Sequence, residues 1–150
     1  MNFRELDIAE RDKVVAFYEL TSYRRPISNS DRVFVADNAD RILGVARIEG
    51  ASGVQVLRGM YIHPDFTRQG IGTRLLKATV PTLSETNSFC IPRDHLCDFY
   101  SGAGFRVIDP DDAPDFLSER LATYLKEGLS VAIMQRTPGA GQSMSIDPAV

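Results

Sequence analysis

At 150 residues and 16.6 kDa the chain is long enough for one domain with a real core, and 43% apolar against 25% charged residues excludes wholesale disorder. A net charge of −3 lacks the basic footprint of a nucleic-acid binder, and no apolar run approaches the ~18 residues of a membrane span. The polar start from Met1 to Asp7 is not a secretory leader, and Cys90 and Cys97 have no metal-ligand spacing and cannot build a disulfide framework, so a cytoplasmic protein with reduced thiols is expected.

Residues 2–6 suit a first strand. Asp7 suits an N-cap, with Glu10 three residues on as a capping box, and Ile8, Val14, Val15, Phe17, Tyr18 and Leu20 predict a helix over 8–20 with an apolar face. Residues 21–30 form a polar loop containing Arg24, Arg25 and Pro26. Strands are expected over 32–36 and 42–48, joined through the hairpin chemistry of 37–40, with 49–53 turning into a third strand over 54–62. Short turns between three successive strands make an antiparallel meander. A helix follows over 70–80, ended or kinked by Pro81. Beyond it come a strand over 88–91, a helix over 94–101, a strand over 105–108 and a further helix over 113–127. That helix takes its start signals from Asp111 to Pro114 and has Gly128 placed to close it. A last strand over 129–134 precedes a tail from Thr137 that is rich in Pro, Gly, Ser and Gln and is expected to be disordered. The domain therefore spans 1–136 and the tail 137–150.

The stretch from Val54 to Val80 organises the rest. An apolar, β-branched run is broken by Pro64, and Gly70-Ile71-Gly72 then opens a helix whose Ile71, Leu75, Leu76 and Leu83 share a face. A strand, a glycine turn and a helix start make an anion site, because the first helical N–H groups lack intrahelical partners and carry the positive end of the dipole. Thr73-Arg74 after Gly72 is not the Lys-Ser/Thr of a Walker loop, and a dinucleotide fingerprint would need a third glycine near Leu75.

Thr67-Arg68-Gln69-Gly70-Ile71-Gly72, preceded by Ile62-His63-Pro64, resembles the Arg/Gln-x-x-Gly-x-Gly/Ala block of the GNAT superfamily of N-acetyltransferases, with Thr67 where the family usually has Arg or Gln. Asp98-Phe99-Tyr100-Ser101-Gly102-Ala103-Gly104-Phe105 resembles that family's second block and lies ~30 residues on, in the right order. The resemblance covers residues 2–136, with the helix near 113–127 as an insertion. It implies an α/β (α+β) fold: a mixed, mostly antiparallel twisted sheet of about seven strands flanked by helices.

The resemblance also implies transfer of acetyl from acetyl-CoA to an amine. Catalysis of that kind needs a neutral amine, a donor for the oxyanion and an acid near the sulfur. By resemblance, the strand before the glycine loop diverges and pairs its main chain with the pantetheine arm, which maps onto Met60, Tyr61, Ile62 and His63. The pyrophosphate maps onto N–H groups of Arg68, Gln69, Gly70, Ile71, Gly72 and Thr73. Tyr100 matches the general acid toward the thiolate, and a phenol that ionises at ~10 suits that role.

Each residue also has a plainer use. Tyr100 suits a half-buried helix position. Arg68, Arg74 and Lys77 suit either a solvated surface or phosphate contact. Glu49 is a candidate base and otherwise a solvated turn residue, while His63 and His95 suit the surface as well as a base. Cys97 carries no mark of activation, so transfer is expected to be direct, with no acyl-cysteine and no metal. Arg93 stands where many family members have Asn. The acceptor site is expected from the first helix, the loop 21–30 (Tyr23, Arg24, Arg25) and the helix around 116–124. The expected partners are acetyl-CoA and an amine acceptor, with no nucleic acid or membrane, and a homodimer is one assembly open to the chain. The alternative on the same fold is a non-catalytic acyl-CoA-binding sensor or interaction module.

Overall fold

The computed structural model describes residues 1–140 apart from Ser22, Arg24 and Asp40. Residues 141–150 of the expected disordered tail fall outside the described residues, as does Arg24 of the expected acceptor site. The chain divides into two compact units, Met1–Pro81 and a second beginning at Thr82. Each is described by itself.

In the first unit four strands pair in sequence as an antiparallel meander: β1 (Asn2–Glu5), β2 (Arg32–Asn38), β3 (Arg41–Ala51) and β4 (Val54–Ile62). Helix α1 (Arg11–Tyr18) lies between β1 and β2 in the chain, and α2 (Ile71–Leu83) follows β4. The weak alternation of β2 has a physical cause, because both faces of the strand are buried. Val33 and Val35 pack with Val14, Phe17 and Tyr18 of α1, while Ala36 joins Leu43 and Ile71, the first residue of α2.

The second unit holds β5 (Ser88–Cys90), α3 (Cys97–Ser101), β6 (Arg106–Val107), α4 (Asp115–Lys126) and β7 (Met134–Arg136), with β7 antiparallel to both β5 and β6. The described strands number seven, as the resemblance implies, and within each unit every pairing is antiparallel.

Several local expectations need correction. The 8–20 helix begins as a 3-10 turn (Ile8–Glu10) and becomes α-helical only over 11–18. Its capping box does not form: Asp7 makes no side-chain cap bond, and Arg4 draws the Glu10 carboxylate away with bonds of 2.9 and 3.1 Å. Half of the expected apolar face is open, with Ile8, Val15 and Leu20 exposed. Glu49 lies inside the β3 ladder opposite Val56, not in a turn, because β3 continues to Ala51.

Pro81 neither ends nor visibly breaks α2, which runs two residues beyond it with Thr82 and Leu83 buried. Pro114 is the N-cap of α4 and not its first helical residue; Asp109 accepts from the Asp111 N–H to form a separate 3-10 turn just before.

The last strand is displaced toward the C-terminus. The N–H groups of Gly128 and Leu129 return to the carbonyls of Leu125 and Tyr124, a Schellman closure that uses Leu129 to end α4. Val131 then makes only an isolated bridge to Arg93, and the ladder starts at Met134. Arg136, which no strand pattern would bury, has no exposed surface because its guanidinium donates to the Ala103 carbonyl at 2.8 Å and to Ser84 Oγ at 3.0 Å.

Candidate functional site

The glycine loop is built by two left-handed residues. After β4, the His63 N–H donates to the Leu43 carbonyl at 2.7 Å, and His63 Nδ1 accepts from the Asp65 N–H at 3.1 Å to cap a 3-10 turn (Pro64–Phe66). Thr67 Oγ1 donates back to the Pro64 carbonyl at 3.4 Å, so this side chain serves the turn. Arg68 and Gly70 then take φ of +65° and +78° and turn the chain into α2.

Helical bonding begins with the Arg74 N–H donating to the Gly70 carbonyl at 3.2 Å. The N–H groups of Ile71, Gly72 and Thr73 find no acceptor among the described residues. Ile71 is buried and anchors the helix start, whereas Arg68, Gln69, Gly70 and Thr73 face solvent. A Cβ placed on Gly70 would have nothing within 4 Å. Three donors at the positive end of a helix dipole, with open space before them, form a place for an anionic group. Of the nearby cations, Arg74 stacks over the Phe3 ring at 4.4 Å.

The strand itself is irregular where main-chain pairing with the cofactor is expected. Val45 pairs with Tyr61 but Arg47 pairs with Arg58, so Gly59 and Met60 together stand opposite Ala46. This is a β-bulge with Gly59 at φ +63°. It re-aims the backbone over Met60, Tyr61 and Ile62, all partly exposed. His63 fits that role less well: its N–H goes to Leu43 and its carbonyl accepts from the Phe66 N–H at 2.8 Å.

Around the bulge lies a polar-aromatic cluster that the sequence does not mark. The Tyr18 hydroxyl donates to the Gly59 carbonyl at 2.7 Å, and burial pushes that phenol well above its usual range, so it stays a donor. Tyr18, Tyr23 and Tyr61 have ring centroids 4.9–6.4 Å apart. Arg47, 1% exposed, pairs with buried Asp31 at 3.1 Å and also donates to the Tyr23 hydroxyl. A cleft of roughly 170 Å³ opens between Val15 and Tyr18 on α1 and Tyr23, Pro26 and Ile27 on the following loop. The signal available in sequence was a charged Arg47 inside an apolar strand, which points to a buried partner but not to Asp31.

The remaining candidates divide between the two units. Glu49 is held by Arg58 at 2.9 Å and is three-quarters buried. Tyr100 belongs to the second unit, where it is 9% exposed and its ring packs edge-on against Phe99 and Phe105. His95 is exposed, and Arg93 bridges Val131. Cys90 and Cys97 are free thiols, and the Cys97 thiol is pushed up by burial and by Asp94 and Asp98, the opposite of activation. Among the described residues no group of three His, Cys, Asp or Glu could hold a metal, and no helix is long and apolar enough to cross a membrane.

A family model described as an acetyltransferase (GNAT) domain matches residues 5–118. No protein of curated function matches the sequence. Solved structures do. A GNAT-family acetyltransferase from Staphylococcus aureus is 18% identical with a TM-score of 0.64, covering 91% of this chain and 98% of its own. The ribosomal-protein-S18-alanine N-acetyltransferase from Escherichia coli is 13% identical with a TM-score of 0.66, over 91% and 92%. N-acetylglutamate synthase from Neisseria gonorrhoeae, solved with coenzyme A and N-acetyl-glutamate, is 15% identical with a TM-score of 0.63, over 91% of this chain but 34% of that one. At these identities the likeness shows the fold.

Proposed function

The chain belongs to the GNAT acetyltransferase family, and from that membership we propose that it transfers acetyl from acetyl-CoA directly to an amine. The observation that carries the proposal is the glycine loop: three helix N–H groups without acceptors among the described residues, behind a glycine with open space, at the motif positions of the family. Acetyl-CoA supplies the activated acyl group as a thioester.

The chain's residues have the following roles in this reading. Backbone N–H groups from Arg68 to Thr73 hold the pyrophosphate. The bulged main chain of Met60 to Ile62 pairs with the pantetheine arm, and an N–H there faces the thioester carbonyl and stabilises its developing charge. The amine nitrogen forms the new C–N bond as the C–S bond breaks, and the Tyr100 phenol gives its proton to the departing thiolate. The role of Tyr100 rests on the match of its motif. Glu49, already paired with Arg58, is the candidate for taking the amine proton through water.

Calorimetric titration with acetyl-CoA, with free coenzyme A and ATP as controls, tests the reading. Micromolar binding of acetyl-CoA with much weaker ATP supports it, and no binding sinks it. Tyr100→Phe is expected to lower turnover about 10²-fold with acetyl-CoA affinity nearly unchanged, the usual size of a lost general acid. A fully active variant would make the side chain structural. Cys97→Ser should keep full turnover, because a thiol held protonated forms no acyl-enzyme. Loss of activity there would argue for a covalent route. No observation favours the binding-only alternative.

A further inference from the structure

We propose that Arg47 is a positioning residue that pins the loop between α1 and β2 onto the bulged strand and thereby sets the width of the acceptor cleft. The inference rests on the acyl-transfer reading for its consequence, but not for its geometry. Arg47 sits on β3 beside the bulge, and its guanidinium reaches three separate points of the loop. It donates to the Pro26 carbonyl at 2.8 Å, to Asp31 Oδ2 at 3.1 Å and to the Tyr23 hydroxyl. The same group lies over the Tyr23 and Tyr18 rings, 5.1 and 5.7 Å from their centroids. Its Nε has no hydrogen-bond partner among the described residues and lies 3.0 Å from where a Cβ on Gly59 would stand. One side chain thus touches the loop and the bulge together.

A buried ion pair is a poor source of net stability, since an apolar pair of similar volume does as well or better. What the guanidinium adds is direction, because its planar fork fixes several acceptors at once. Tyr23 and Pro26, two of its three partners, are walls of the cleft, and Tyr18, which forms the facing wall, holds the bulge carbonyl. The far end of the loop has its own tie, Arg11 donating to the carbonyls of Ser28 and Asp31 at 2.7 and 2.6 Å. Arg47 accordingly governs the end of the loop that faces the cleft. An acceptor lying there is aligned with the bulge only while that end is held.

The test is Arg47→Met combined with Asp31→Asn, which leaves no orphaned buried charge and keeps an acceptor for the Ser28 N–H. Amide exchange at Tyr23, Arg25 and Ile27 is expected to speed up about tenfold with β2 to β4 unchanged. Acetyl-CoA affinity should stay within about twofold. The KM for whichever of phenethylamine, spermidine or an alanyl peptide turns over should rise about tenfold, with a smaller effect on kcat, since uniform binding is what is lost. Tyr23→Phe removes a single hydroxyl, should fold normally, and is expected to move exchange and KM in the same direction by about threefold. Unchanged loop exchange in both variants, or an equal fall in kcat and kcat/KM with KM unmoved, would overturn the proposal. If the wild-type protein fails to bind acetyl-CoA, the acyl-transfer reading falls, and loop exchange alone decides whether Arg47 is the anchor.

Discussion

Gly70→Val should cost the protein its hold on coenzyme A while leaving the rest of the fold in place. Two effects add. Gly70 sits at φ +78°, where a β-branched residue is strained by roughly 1–3 kcal/mol, and the loop relieves that strain most readily by rotating the peptides that aim the next N–H groups. The new side chain also takes up open space beside the helix start, since nothing beyond Gly70 and its chain neighbours lies within 4 Å of the Cβ position, and the proposed pyrophosphate site is at that helix start. Steric exclusion is the larger effect, because it removes the ligand's place and not only the donors' alignment. We expect affinity for acetyl-CoA to fall by about 10²-fold or more, roughly 2.7 kcal/mol.

A control separates strain from exclusion. Gly53 has a similar φ of +82° and equally open surroundings, but lies in the β3–β4 hairpin. Gly53→Val should share the stability loss and bind acetyl-CoA normally. Calorimetry on both variants decides the point, and wild-type affinity in Gly70→Val would remove the phosphate site from this loop.

Gly59→Ala is expected to be the most destabilising single methyl that can be added near the site. Its Cβ would stand 2.7 Å from the Tyr18 hydroxyl, 3.0 Å from Arg47 Nε and 3.2 Å from Tyr23 Cε2. None of these can step aside easily: Tyr18 is 6% exposed and bonded to the Gly59 carbonyl, and Arg47 is locked by Asp31. Overpacking of about 1–3 kcal/mol adds to about 1–2 kcal/mol for an L-residue at φ +63°. A loss of about 2–5 kcal/mol lowers Tm by roughly 4–20 °C for a domain of this size.

Urea and thermal unfolding of Gly59→Ala measure this loss, and Gly59→Ala combined with Tyr18→Phe locates it. Removing the hydroxyl relieves the closest contact, so the double variant should lose less than the sum of the singles. Strict additivity would mean that Tyr18 does not press on the bulge. A Gly59→Ala protein as stable as the wild type would mean that the bulge is not packed as described.

What local chemistry controls was legible without the fold. The Val54–Ile62 strand has the bounds that its apolar run and Pro64 predict, and the Gly70-Ile71-Gly72 turn starts a helix where periodicity places it. Gly128 closes α4 as expected. Two motif blocks in order were enough to suggest the family, because residue types at fixed spacing can be read along the chain without the fold. Such signals survive in one dimension because their causes lie within a few residues.

What failed depends on partners outside the local sequence pattern. Glu10 was lost as a capping residue to Arg4, whose guanidinium also holds Asp37 at 2.8 Å. The last strand moved to Met134–Arg136 because Leu129 is used to close α4, and Arg136 is buried there because its guanidinium finds acceptors at Ala103 and Ser84. Around the bulge, Tyr18, Arg47 and Asp31 come from a helix, a strand and a loop, and they meet beside the place where β3 pairs with β4 out of step at Ala46. By itself, then, the sequence determined the meander, the helix start at the glycine turn and the family. Tertiary structure alone decided which charges are buried, because a charge enters the core only beside a partner that long-range pairing has already placed there.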